Sequence, residues 1–329
     1  MSEIAQYVIG LDGGGTKTSI QLADLSGTVI TETQGGPSNF QIIGIEEASR
    51  NILDLAETCC HSVGCSYSQI GSVVAGLTGA GRIADERRIT EGLQNASEKR
   101  GMFFHDLKVE SDARVALEGA FKGTRGIVLI CGTGSIVFAK DAKGRVIRSG
   151  GWGRLIGDEG SGYQIGREAF RSIARMMDGR GRATKLAKMV GSEFGLKTHE
   201  DIIRAVYRED FDLASAAPLV LLAAERNDAA ATEILRFAAA ELIDALRAVL
   251  KSLGNVPRGN RQKIPLVLMG GLMQSENVYS KKVKSAIRKN LPRLSVEDPI
   301  DRPVHGAVLM AIDRVKTALK NGTLAVAIQ

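Results

Sequence analysis

The chain has 329 residues, of which 44% are hydrophobic and 5% aromatic, with a formal net charge of +6. That length suits two domains, each with its own core. The cations fall in small groups, such as Arg87-Arg88, Lys99-Arg100 and Lys281 to Lys289, without interleaved aromatics, which argues against nucleic-acid binding.

At the start of the chain, acidic Glu3 stands where a signal peptide would carry its basic region, so a cytoplasmic protein is expected. Strands are predicted over residues 7–11, 18–22 and 29–33, followed by the loop from Gly35 to Asn39. A helix from near Glu46 to about Cys60 leads to a strand at residues 72–75. After Gly76 to Arg82 come a charged helix to about Ser97, a strand at residues 107–110, Ser111-Asp112 and a helix over residues 113–121. Cys59, Cys60, His61 and Cys65 cluster, but no second ligand pair completes a metal site, so reduced, partly buried thiols are expected.

Gly123 to Gly126 is a seam, which divides the chain into residues 1–122 and 123–329. The second part repeats the three-strand pattern to about Arg148. Past the glycine-dense segment from Gly150 to Gly162 it becomes mostly helical. The stripe Leu235, Ala238, Leu242, Leu246 and Val249 marks a core-facing helix. Arg236, Glu241, Asp244 and Arg247 interrupt that helix, so it does not span a membrane. A strand at residues 265–269 runs into Gly270-Gly271, a helix follows from about Asn277, and a final helix follows Pro303.

The two parts share one form of punctuation. An apolar strand ends in Asp12-Gly-Gly-Gly-Thr16, and another ends in Cys131-Gly132-Thr-Gly134-Ser135; each is followed by a second strand. Glycine lets backbone N–H groups approach an oxyanion, and the hydroxyls of Thr16, Thr133 and Ser135 add donors. Thr16 stands where a P-loop needs lysine, and Thr18 where a dinucleotide fingerprint needs glycine. Two hairpin cradles point to a nucleotide-using enzyme with two related lobes.

Asp12, beside phosphates, implies a divalent cation between them. Asp112 has two compatible readings, a helix N-cap and a general base. Trp152 is either a core anchor or part of a ligand wall, while Asp158 and Glu159 in a glycine-rich loop suggest polar recognition, which Ser38-Asn39 and Thr78 join.

These motifs carry a resemblance. Asp12-Gly-Gly-Gly-Thr16-Lys, Ser38-Asn39, Gly132-Thr-Gly-Ser135, Gly151-Trp-Gly153 and Gly157-Asp-Glu-Gly-Ser161 occur in this order in N-acetylglucosamine kinase-like proteins. Leu213 to Pro218, Gly270-Gly271 with Ser275, and Pro303 to Ala307 extend the likeness over nearly the whole chain. The sequence thus resembles the BadF/BadG/BcrA/BcrD ATPase branch of the actin-like sugar kinases.

That resemblance implies an α/β protein of two ribonuclease H-like lobes with an interlobe cleft, the last helix returning to the first lobe. It implies ATP and Mg2+, the latter on Asp12, and phosphorylation of an amino sugar, N-acetylglucosamine first, at its 6-hydroxyl. Gly14, Gly15, Thr16, Lys17, Gly132, Thr133, Gly134, Gly271 and Ser275 would contact ATP. Asn39, Asp112, Gly151, Trp152, Gly153 and Asp158 would face the sugar, with Asp112 as base. A homodimer is expected. The alternatives are a glucosamine or N-acetylmuramic acid kinase, an activator ATPase of a 2-hydroxyacyl-CoA dehydratase, and a non-catalytic sugar sensor.

Overall fold

The computed structural model describes residues 5–254 and 263–324; Glu3 lies outside them. The chain divides into two compact units, one made of Met1–Arg125 with Asp298–Gln329, the other of Gly126–Glu297.

The first unit opens with strands β1 (Tyr7–Gly13), β2 (Thr18–Asp24) and β3 (Val29–Gly35). A short helix α1 (Phe40–Ile43) and α2 (Ile45–Val63) lead to β4 (Ile70–Leu77), and α3 (Ile83–Lys99) leads to β5 (Leu107–Ser111) and α4 (Asp112–Phe121). The sheet order is β3-β2-β1-β4-β5, with β1, β4 and β5 parallel. Strand β4 is buried along its whole length, as a central strand covered on both faces must be. Ile9, Leu11, Ile20, Leu22 and Val73 share one core with Ile52 and Leu53 of α2 and Ile89 and Leu93 of α3. Residues of opposite parity, Val8 and Val74, pack on the other face.

The second unit repeats the plan with β6 (Gly126–Cys131), β7 (Ser135–Lys140) and β8 (Val146–Gly150). Helices α5 (Gly162–Met177), α6 (Lys185–Glu193), α7 (His199–Arg208), α8 (Ala217–Glu225) and α9 (Ala229–Ser252) separate these from β9 (Ile264–Met269). Then come α10 (Gly271–Gln274), α11 (Val278–Asn290) and β10 (Leu294–Glu297). Read from its β8 edge, this sheet runs β8-β7-β6-β9-β10, the same path as the first. The expected stripe of α9 is buried, from Leu235 through Val249.

The last helix, α12 (Pro303–Lys320), belongs to the first unit, where Ala307, Val308, Ala311 and Val315 cover Val8, Val74 and Val115. Its approach requires glycine at two contacts. A Cβ on Gly10 would lie 2.4 Å from the Val308 nitrogen, and one on Gly306 would lie 2.0 Å from the Val115 oxygen. Arg302 donates to both oxygens of Glu32, each at 2.6 Å, and Arg314 pairs with Asp106, which also accepts from Ser72 at 2.6 Å. Among the described residues no helix is long and apolar enough to cross a membrane.

Candidate functional site

Parallel pairing in the first unit sets three strand ends side by side, since Asp12 lies opposite Gly76 and Leu77 opposite Ser111. Ligands of such sheets bind beyond these carboxyl ends. The turn after β1 is closed by the Gly14 N–H donating to Lys17 O at 2.9 Å. The Gly14 carbonyl accepts from the backbone of Ser38 and Asn39, at 3.0 and 3.2 Å, and the Gly13 carbonyl accepts from Thr78 N at 2.9 Å. Gly13 is confined by this stitching, because an added Cβ would sit 1.9 Å from Ser38 Oγ. Gly15, Thr16 and Lys17 at the tip are exposed.

Asn39 caps α1, its Oδ1 accepting from Gln41 N at 3.1 Å. Thr78 proves more than a loop residue, since its hydroxyl donates to Asp112 Oδ2 at 2.8 Å. Ala113 N donates to Asp112 Oδ1 at 2.7 Å. The cap reading of Asp112 is corrected by one residue: Ser111 is the N-cap, accepting from Arg114 N at 3.2 Å, and Asp112 is the first helical residue. Its carboxylate is therefore oriented without being spent on the cap.

Burial pushes the Asp12 carboxyl up to about 6, and the negative charge of Asp112 adds to the rise, partly offset by Lys17. Two carboxylates held in mutual repulsion form a site that gains from added positive charge. No group of three or more His, Cys, Asp or Glu that could hold a metal occurs among the described residues. This donor set fits Mg2+, which takes one or two protein carboxylates and completes its shell with phosphate and water.

In the second unit Gly132 N donates to Gly134 O at 2.9 Å, which closes the second glycine turn. The segment after it folds back onto the turn, with Gly162 N on Gly132 O at 2.8 Å and Tyr163 N on Thr133 O at 3.1 Å. Thr133 is exposed at the tip. Ser135 does not fit the expected role as a phosphate donor; its buried hydroxyl donates to Glu159 O at 2.6 Å and holds the turn together.

Asp158 has a left-handed backbone, φ 56°, rare for a residue with a Cβ. Its carboxylate lies 3.5 Å from Ser135 N and close over Gly134, so it flanks the second cradle. Burial raises its pKa. The β9 turn reaches the same place, where a Cβ on Gly270 would lie 2.5 Å from Cys131 O and one on Gly132 would lie 3.8 Å from Gly271 N. Ser275 follows α10, its carbonyl accepting from Asn277 Nδ2 and Ser280 Oγ at 3.0 and 2.9 Å.

The core-anchor reading of Trp152 is overturned. The side chain is 63% exposed, with the Arg148 guanidinium 5.8 Å from the ring centroid, and Leu155 and Ile156 of the same loop are exposed too. Gly151 and Gly153 flank it at φ 70° and 87°, so the loop takes turns that hold the indole outward. Cys131 is buried and donates to Gly160 O at 3.3 Å, and burial pushes its thiol up to about 12.

The structure thus gathers Asp12, Gly14, Gly15, Thr16, Lys17, Asn39, Thr78 and Asp112 in the first unit. Gly132, Thr133, Gly134, Asp158 and Gly271 gather in the second, with Ser275 at the far end of α10 and Trp152 on its exposed loop.

Known proteins resemble this chain over nearly its whole length. Over 309 residues the chain is 32% identical to the N-acetylmuramic acid/N-acetylglucosamine kinase of Clostridium acetobutylicum, covering 93% of this chain and 98% of that protein. It is 30% identical over 323 residues to the N-acetyl-D-glucosamine kinase of Dictyostelium discoideum, covering 94% and 99%. A Chromobacterium violaceum protein solved as a candidate N-acetylglucosamine kinase superposes with a TM-score of 0.70 at 28% identity, covering 94% of this chain and 99% of that one. The family model that matches spans residues 9–311 and so takes in both glycine turns and both sheets; the chain belongs to the BadF/BadG/BcrA/BcrD ATPase family.

Proposed function

We propose that this protein is an ATP-dependent amino-sugar kinase that phosphorylates N-acetylglucosamine at its 6-hydroxyl, with Asp112 as general base. The observation that carries this reading is the placement of Asp112. A carboxylate held by Thr78 and Ala113 still has one free lone pair on each oxygen, so it can accept a proton from a sugar hydroxyl. Asn39, one loop away and tied to the same glycine turn, would hold the sugar. Gly15, Thr16 and Lys17 of the first unit, and Thr133 and Gly134 of the second, would present N–H, hydroxyl and ammonium donors to the phosphates, while Gly14 and Gly132, whose N–H groups close the turns, would let ATP approach the bare backbone. Gly271 and Ser275 would lie along the nucleoside. Asp12 would hold Mg2+, which when bound supplies charge neutralisation for the transferring phosphoryl group.

Two of the expected sugar contacts, Asp158 and Trp152, lie on loops of the second unit whose geometry bears on their roles. Asp158 flanks the second glycine turn, which supports a part in ordering the phosphate cradle besides any contact with the sugar. Trp152 stands on an exposed loop with Gly151, Gly153, Leu155 and Ile156, which supports an apolar wall for an acetamide methyl.

The test is ADP release measured against N-acetylglucosamine, N-acetylmuramic acid, glucosamine, N-acetylmannosamine and glucose, with the product located by mass spectrometry and NMR. We expect kcat/KM for N-acetylglucosamine at least tenfold above glucose, since a single apolar contact such as that of the acetamide methyl is worth roughly 1–3 kcal/mol, and the phosphate on the 6-oxygen. Equal rates with glucose, or phosphate at another carbon, would overturn this assignment. A second acceptor, N-acetylmuramic acid, is favoured by the name of the Clostridium acetobutylicum relative, and its rate in the same panel decides it.

A further inference from the structure

The cysteine cluster at the end of α2 takes no part in the proposed chemistry. Gly64 ends the helix at φ 72°, and Cys65 N donates back to Cys60 O at 3.1 Å. In this capping arrangement the two residues that flank the last turn bring their side chains into contact. Here both are cysteines, and Cys65 packs against the buried cluster that holds Cys60. Cys59 and Cys60 are buried at 1% and 0% exposure, whereas Cys65 is reached by solvent. All four cysteines are free thiols.

We propose that Cys65 and Cys60 form a redox site, in which a hydroperoxide oxidises the pair to a reversible disulfide. The roles follow from access and electrostatics. Cys65 is the sulfur that solvent reaches, and the neighbouring Cys60 thiol holds it below the ordinary range, which raises its thiolate fraction. Its neighbour Cys65 and its burial both push the Cys60 thiol up, so it is the second partner.

In the first step the Cys65 thiolate attacks the peroxide. An S–O bond forms, the O–O bond breaks, and the departing hydroxide takes a proton to become water, leaving Cys65 as a sulfenic acid. In the second, the Cys60 sulfur attacks the Cys65 sulfur; the S–S bond forms, the S–O bond breaks, and hydroxide leaves with the Cys60 proton as water. Two thiols lose two electrons, and hydrogen peroxide becomes two waters. A dithiol reductant reverses the change by exchange.

The sequence makes the test simple, because trypsin cutting after Arg50 and Arg82 releases Cys59, Cys60 and Cys65 in one peptide. The folded full-length protein is exposed to excess hydrogen peroxide, alkylated in denaturant, digested and sequenced by mass spectrometry. The expected peptide is 2 Da lighter than the reduced form apart from its alkyl groups, carries one alkyl group at Cys59, and returns to three alkyl groups after dithiothreitol. Cys60→Ser should accumulate sulfenic acid at Cys65, trapped by a cyclic 1,3-dione. Three alkylated cysteines after peroxide, a tag on Cys60 showing that Cys59 had paired instead, or Cys65 oxidised irreversibly without ring closure would each overturn the proposal. Wild-type mapping decides even if Cys60→Ser fails to fold.

Discussion

Asp112 and Asp12 show how two like residues acquire different tasks from their surroundings. Asp112 is oriented by Thr78 and Ala113 while Ser111 caps the helix, so Asp112→Asn should leave the fold intact. The Thr78 hydroxyl can turn to accept from the new amide, and a stability loss of about 1 kcal/mol is expected. Turnover should fall about 100- to 10,000-fold, the range for a lost general base, with nucleotide affinity nearly unchanged. A folded Asp112→Asn enzyme with near-normal kcat would remove Asp112 from that role. Asp12 makes a separate prediction through its raised pKa. Its protonated form is favoured in the folded state, so its contribution to stability is full below about 3.8 and is lost as pH rises through about 6. A shift of that size corresponds to about 2–3 kcal/mol at most. Between pH 4 and 7 the metal-free protein should lose stability that Asp12→Asn retains, and Mg2+ should restore stability at pH 7 but not at pH 4.5. Melting curves across that range check it; identical pH profiles for wild type and variant would contradict the assignment.

Among the elements, glycine has two distinct uses that substitution can separate. Gly306 of α12 faces Val115 O and Gly119 N of α4, where an added methyl would lie 2.0 and 2.4 Å from backbone atoms that cannot rotate away. Gly306→Ala should therefore force the helices apart and cost about 1–3 kcal/mol or more, seen as a lower midpoint in urea. Gly271 opens α10 with nothing within 4 Å of an added Cβ, and its φ is not in the left-handed range. Gly271→Ala should leave stability within about 0.5 kcal/mol of wild type. If the nucleoside passes there, the same methyl should raise KM for ATP severalfold without changing KM for the sugar. Unchanged KM for both would place the nucleoside elsewhere.

For the whole molecule, the consequential feature is that the first unit is assembled from both ends of the chain. Residues 298–329 supply α12, which covers Val8, Val74 and Val115, and two ion pairs, Arg302 with Glu32 and Arg314 with Asp106. Deleting everything after Glu297 would expose that apolar face to water. The truncated protein should aggregate, or show residues 1–125 cut rapidly by protease while residues 126–297 resist longer. Equal protection of both stretches would show that the return segment is dispensable.

Much of this was legible in local sequence, because strand ends, glycine turns and helical stripes depend on contacts between near neighbours. Both cradles, the duplicated three-strand pattern and the buried face of α9 follow from apolar alternation and from glycines at strand ends, where no side chain blocks a close approach to the backbone. The tertiary structure decided what depends on residues far apart in the chain. Thr78 reaches Asp112 across 34 positions only because β4 and β5 pair in the register that sets Leu77 beside Ser111. The cap fell to Ser111 rather than Asp112 because the extended backbone of the strand ends there, one residue earlier than composition suggests. Trp152 is held outward by a loop turning through Gly151 and Gly153, against the usual preference of indole for the interior, and Asp158 lies on the second glycine turn because the segment after it folds back there. Patterning determined the two α/β halves and the residues able to do chemistry. Register, loop closure and the return of α12 determined which of them meet, since those are set by packing across the sheets and not by neighbours in the chain.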